Sequence, residues 1–106
     1  MAKFLFKASL SPEGVAGVRA EGGTARRDVV NKAIESLGGS MESFYFSFGA
    51  DDVVVICTLP DNETAAALAM EISASGRVST STTVLITPEE MDHVRGKKSG
   101  WRAPGT

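Results

Sequence analysis

At 106 residues, 42% hydrophobic and 23% charged, the chain has room for one core and the make-up of an ordinary globular domain. Its formal net charge of −2 argues against nucleic acid and anionic membranes as partners, since both need a dense cationic face. No apolar run approaches the roughly 20 residues that span a bilayer, and the single cysteine, Cys57, sits in an apolar run where a buried, inert thiol is expected.

The first stretch, Lys3 to Leu10, alternates: Phe4, Phe6, Ala8 and Leu10 fall on one side, Lys3, Leu5, Lys7 and Ser9 on the other. This is a strand with one buried face. It leads straight into Ser11-Pro12-Glu13 with no small-residue cleavage site, unlike a secretory signal, so a cytoplasmic location is expected. Ser11 as N-cap, Pro12 at the first helical position and Glu13 in the first turn predict a helix start. This piece contains Gly14 and Gly17 and is expected to stop at Gly22-Gly23, because each interior glycine costs about 1 kcal/mol relative to alanine. Thr24 is read as the cap of a second helix. Val29, Val30, Ala33, Ile34 and Leu37 form its apolar stripe, with Arg26, Arg27, Asp28, Asn31, Lys32 and Glu35 on the other side. Gly38-Gly39 ends it.

Glu42 to Leu59 reads as a β-hairpin. An aromatic run (Phe44, Tyr45, Phe46, Phe48) and a β-branched run (Val53, Val54, Val55, Ile56) flank a break at Gly49-Ala50-Asp51. Neither run alternates cleanly between apolar and polar, which predicts that both faces of the hairpin are covered. Pro60 ends the second strand and Asp61 caps a helix whose packed face is read as Ala65, Ala66, Ala69 and Ala74 beside Leu68, Met70 and Ile72. After Gly76, Arg77 to Ile86 is a polar, Ser/Thr-rich strand. Thr87-Pro88-Glu89-Glu90 carries the spacing of a capping box and opens a short helix through Met91 and Val94.

The order is therefore strand, broken helix, strand, strand, helix, strand and an extra helix. A βαββαβ order with short connections predicts an α+β, ferredoxin-like fold: a four-stranded antiparallel sheet with the main helices on one face. Residues 1–95 form one domain and 96–106 a polar tail. The core is expected to draw on Phe4, Phe6, Val29, Ile34, Leu37, Val53, Val55, Leu68 and Ile72. The hairpin's first strand, 41 to 48, falls at a sheet edge. Its aromatic residues, uninterrupted by charge, would be an aggregation hazard unless a second copy covers them.

With these residues laid out, the chain resembles the small bacterial proteins of the GYD domain family. The likeness rests on EGGTARRDVVNKAIESLGG (21–39), FYFSFGADDVVVICTLPDN (44–62), AAALAMEISASG (65–76) and LITPEEMD (85–92). The family is named for a Gly-Tyr-Asp motif at the hairpin turn. Here the place reads Gly49-Ala50-Asp51-Asp52, so the tyrosine and any role it has do not carry over. The resemblance implies a ferredoxin-like fold of the dimeric α+β barrel kind rather than an activity.

Gly22-Gly23-Thr24-Ala25-Arg26-Arg27 is the most informative polar stretch. A helix beginning at Thr24 would offer free N–H groups and its positive dipole end to an anion beside Arg26 and Arg27. Equally, those arginines pair with Glu21, Asp28, Asp51 or Asp52, or are simply solvated. Asp51 and Asp52 are candidates to hold a cation or act as a base, set against ordinary turn chemistry. Tyr45 is a candidate to orient a ligand or to sit in an interface. His93, the only histidine, has no clustered partner, so no metal or cofactor is expected. Three functions compete: a homo-oligomeric binding or regulatory module holding a small anionic or partly apolar ligand between sheet and helices; a cofactor-independent enzyme resembling dimeric α+β barrel monooxygenases or isomerases; and a structural subunit. In the enzyme, Arg26 or Arg27 would steady an enolate or carboxylate while Asp51, Asp52 or His93 moves a proton. An acid or histidine pointing into the cavity would favour the enzyme, and a purely apolar lining would favour binding.

Overall fold

The chain runs β1 (Ala2–Leu10), α1 (Pro12–Glu21), α2 (Gly23–Ser36), β2 (Ser40–Phe46), β3 (Val53–Leu59), α3 (Asn62–Ala74), β4 (Val78–Leu85) and α4 (Pro88–Val94). The computed structural model describes residues 1–47 and 49–106, so the Phe48 end of the aromatic run lies outside the described residues. All four strands are antiparallel, in the order β2-β3-β1-β4, with β1 and β3 central. This is the ferredoxin-like α+β arrangement, extended by α4.

Strand register decides which residues share a face. Phe4 pairs with Cys57 and Phe6 with Val55, so period two places Phe4, Phe6 and Ala8 beside Val53, Val55, Cys57 and Leu59 on one side. Ile34 of α2 and Ala65 and Leu68 of α3 close over that side, and these residues form one buried cluster. The continuous apolar run of β3 is thus split by the pleat. Val53, Val55, Cys57 and Leu59 are buried under the helices, while Val54, Ile56 and Thr58 lie half-buried on the opposite, outer face beside Leu5. Tyr45 pairs with Val54 on that outer face and is 69% exposed, whereas Phe44 and Phe46 face the helices, their rings edge to face at 5.3 Å.

Local signals hold where they depend on neighbouring atoms. Ser11 Oγ accepts the Gly14 N–H at 3.1 Å, and Asp61 Oδ1 accepts the Thr64 N–H at 2.7 Å. Thr87 and Glu90 form the reciprocal capping box. Gly38 takes a φ of 83° just beyond α2, a conformation that suits glycine.

Five expectations are corrected. Thr24 does not cap α2: Gly22, with φ 93°, ends α1 and starts α2, so Thr24 lies inside the helix, which has no side-chain cap. Val29 is half exposed rather than core, because α2 docks through Val30, Ala33, Ile34 and Leu37. Arg26, one turn before Val30, is not wholly on the solvated side: it lies beside Val30 and Ile34 while its side chain stays 38% exposed. On α3 the packed residues are Ala65, Leu68, Ala69 and Ile72, leaving Ala66, Met70 and Ala74 in solvent. β2 covers Ser40–Phe46, with a bulge between Met41 and Ser43, in place of 41 to 48. Among the described residues no helix is long and apolar enough to cross a membrane.

Candidate functional site

The break between α1 and α2 builds the site. Gly22 donates its N–H to Val18 O at 2.8 Å, closing α1, and accepts the Arg26 N–H at 3.3 Å, opening α2. A residue with a Cβ is strained at that φ, so glycine suits the sharp turn. Glu21 ends one helix and Arg26 sits in the first turns of the next. Arg26 Nε donates to Glu21 Oε1 at 2.6 Å across the break. Farther along, α1 is pinned to the start of β4 by the Ser11 N–H donated to Arg77 O at 2.8 Å. A Cβ on Gly14 would sit 2.5 Å from that carbonyl, so the close approach requires glycine.

Between α2, α3 and the sheet lies a cavity of about 100 Å³. Its walls are apolar: Phe6, Ala8 and Phe44 from the sheet, Val30 and Ile34 from α2, Leu68 and Ile72 from α3. Among the described residues, Arg26 and Thr80 are the only lining side chains with polar atoms. A second depression of about 300 Å³ adjoins it at Arg26 and Val78 and is bordered by the charged or polar Glu13, Glu21, Ser75 and Arg77. The arrangement is an apolar pocket with a charge-balanced vestibule, two acids and two arginines, and Arg26 stands where they meet. Chemically it suits a molecule with a small apolar part and a polar end.

Of the residues singled out from the sequence, Arg26 alone lines these cavities. Thr24 and Arg27 are exposed on α2, and Arg27 pairs with Asp28 at 3.2 Å. Tyr45 lies on the outer sheet face. Asp51 and Asp52 are in the hairpin loop: the Asp51 carbonyl accepts the Ser47 hydroxyl at 2.7 Å, and Asp52 Oδ2 accepts the Leu10 N–H at 2.7 Å. His93 is exposed on α4. Among the described residues, no group of three His, Cys, Asp or Glu side chains is placed to hold a metal ion. Burial pushes the Cys57 thiol up to about 11, so it carries little thiolate at neutral pH.

Glu13, Arg77, Val78 and Thr80 were not candidates from the sequence, whereas Glu21 was expected as a pairing partner of the arginines and does pair with Arg26. The alternation of Val78 and Thr80 with Ser79 and Ser81 marked one β4 face as distinct, but only pairing of Val78 with Leu10 and Thr80 with Ala8 turns that face toward the helices.

The sequence model of the GYD domain matches residues 4–94, a span reaching from β1 to the end of α4 and containing every residue of both cavities. Comparison with curated proteins and with solved structures finds no match.

Proposed function

The chain belongs to the GYD domain family, and from that premise we propose that it is a small-molecule-binding or regulatory module working as a homo-oligomer, its ligand held between the sheet and the helices. The observation that carries this reading is the apolar cavity at Phe6, Val30 and Leu68, whose lining among the described residues contains a single ionised side chain, Arg26, and no carboxylate or imidazole. A proton-transferring enzyme would need an acid or base at the reacting atom. Asp51, Asp52 and His93 are absent from the lining, and Glu13 and Glu21 border the vestibule instead.

The oligomer is supported by the outer sheet face, where Leu5, Val54 and Ile56 are only half-buried beside exposed Tyr45. A second copy of the same face would cover them about a two-fold axis. The single buried cysteine suits a reducing cytoplasm, where we place the protein.

The reading is tested by methyl NMR of the wild-type protein titrated with small alcohols, carboxylates and amines. Binding predicts shifts of the Val53, Val55 and Ile34 methyls, suppressed by Ala8→Leu, which fills the cavity. If no probe moves those methyls, the cavity is packing space and the binding reading fails.

A further inference from the structure

Resting on that reading, we propose that the ligand is a short aliphatic monocarboxylate, bound with its hydrocarbon end in the cavity and its carboxylate on the terminal Nη groups of Arg26. An engineered apolar cavity of 150 Å³ accepts benzene, which scales to about four carbon atoms for a cavity of this size. A larger apolar body does not fit without repacking Ile34 or Leu68, both nearly fully buried.

The polar end follows from how Arg26 is held. Glu21 takes Nε at 2.6 Å, which orients the planar guanidinium of a side chain that lines the cavity. Among the described residues the two Nη groups make no hydrogen bond within the protein. Two parallel N–H donors on a side chain that lines an apolar pocket match the two oxygens of a carboxylate, and the pairing strengthens where water is displaced. An ammonium would meet Arg26 as a like charge. A dianion such as phosphate would bring a second negative charge toward Glu13 and Glu21, which border the same vestibule. A neutral alcohol gains the cavity but not the charge-assisted pair.

The test compares pentanoate, 1-pentanol, pentylamine and inorganic phosphate by titration of the wild-type cavity methyls. Pentanoate is expected to bind at least about tenfold more tightly than 1-pentanol, as a hydrogen bond to a charged group warrants. Across the series ethanoate to pentanoate, affinity should rise about fourfold per methylene, the equivalent of ~0.8 kcal/mol, and then level off. Arg26→Met should abolish the preference for pentanoate while leaving 1-pentanol bound. Arg26→Lys should retain part of it, since a point charge lacks the fork. Equal affinity for pentanoate and 1-pentanol in the wild type, or tighter binding of pentylamine or phosphate, overturns the assignment and leaves the cavity as a neutral-ligand site. Silence of the methyls toward every probe instead removes the binding reading beneath it. The wild-type comparison stands whether or not the variants fold.

Discussion

Asp52 and Leu10, 42 residues apart, are tied by a hydrogen bond: Oδ2 of Asp52 accepts the Leu10 backbone N–H at 2.7 Å. The Asp52 N–H in turn donates to Ala8 O at 2.8 Å, and its carbonyl accepts the Ser47 N–H at 2.9 Å. One loop residue therefore fastens the β2–β3 hairpin to the end of β1. Asp52→Ala should lower unfolding free energy by about 1–3 kcal/mol, because it strands a part-buried N–H. Asp52→Asn keeps an acceptor and should lose less. Urea unfolding with matched slopes measures both, and an unchanged Asp52→Ala midpoint would contradict the role.

Gly39 lies where the end of α2 meets β3. A Cβ there would collide with the Thr58 carbonyl, the Leu59 side chain and Ile34. Leu59 and Ile34 are fully buried, so the neighbours have little room to yield. Gly39→Ala is expected to destabilise by about 1–3 kcal/mol, read as a lowered melting temperature. Gly17→Ala serves as the control, since its Cβ would meet open space within a helix; it should be neutral or stabilising.

The Asp61 carboxylate accepts the Thr64 hydroxyl at 2.6 Å and the Thr64 N–H at 2.7 Å, and these bonds hold its carboxyl below the usual carboxylate value. A folded pKa below the unfolded one means the contribution is present above the unfolded value, about 3.9, and is lost as pH falls through the folded value. Asp61→Asn retains a capping oxygen but cannot titrate. Its denaturant midpoint should fall less steeply than wild type between pH 5 and pH 3.

Cys57 titrates in the opposite sense. Desolvation raises the folded thiol to about 11, so the stability it contributes is complete below the unfolded value of about 8.5 and is lost as pH rises through the folded one. Alkylation by iodoacetamide at pH 8.5 should be slow in the native protein and fast in denaturant. Equal rates would mean that the β3 core opens freely.

On the outer sheet face, Ile56 is half-buried between Leu5 and Ser43. Sedimentation equilibrium at micromolar concentration should give two or more copies, and Ile56→Lys should shift the protein to a folded monomer. A soluble wild-type monomer would sink the proposed assembly.

The sequence alone determined the features that short-range chemistry controls. Ser11 with Pro12, Thr87 with Glu90, and Gly38 mark helix ends because the satisfying atoms lie within a few residues of the orphaned groups. The period-two pattern of β1 marked Phe4 and Phe6 as buried, and the order of elements was enough for the ferredoxin-like α+β fold. The cavity was beyond that reach. Val29 and Val30 are equally apolar neighbours on α2, and only docking of the helix decides that Val30 turns inward and carries Arg26 with it. The Glu21–Arg26 pair was among the alternatives the sequence offered, but Val78 and Thr80 reach the site only through the β1–β4 register. Those placements arise from the summed packing of three helices on a four-stranded sheet, so no local pattern encodes them and the tertiary structure alone decided where an apolar ligand would meet a cation.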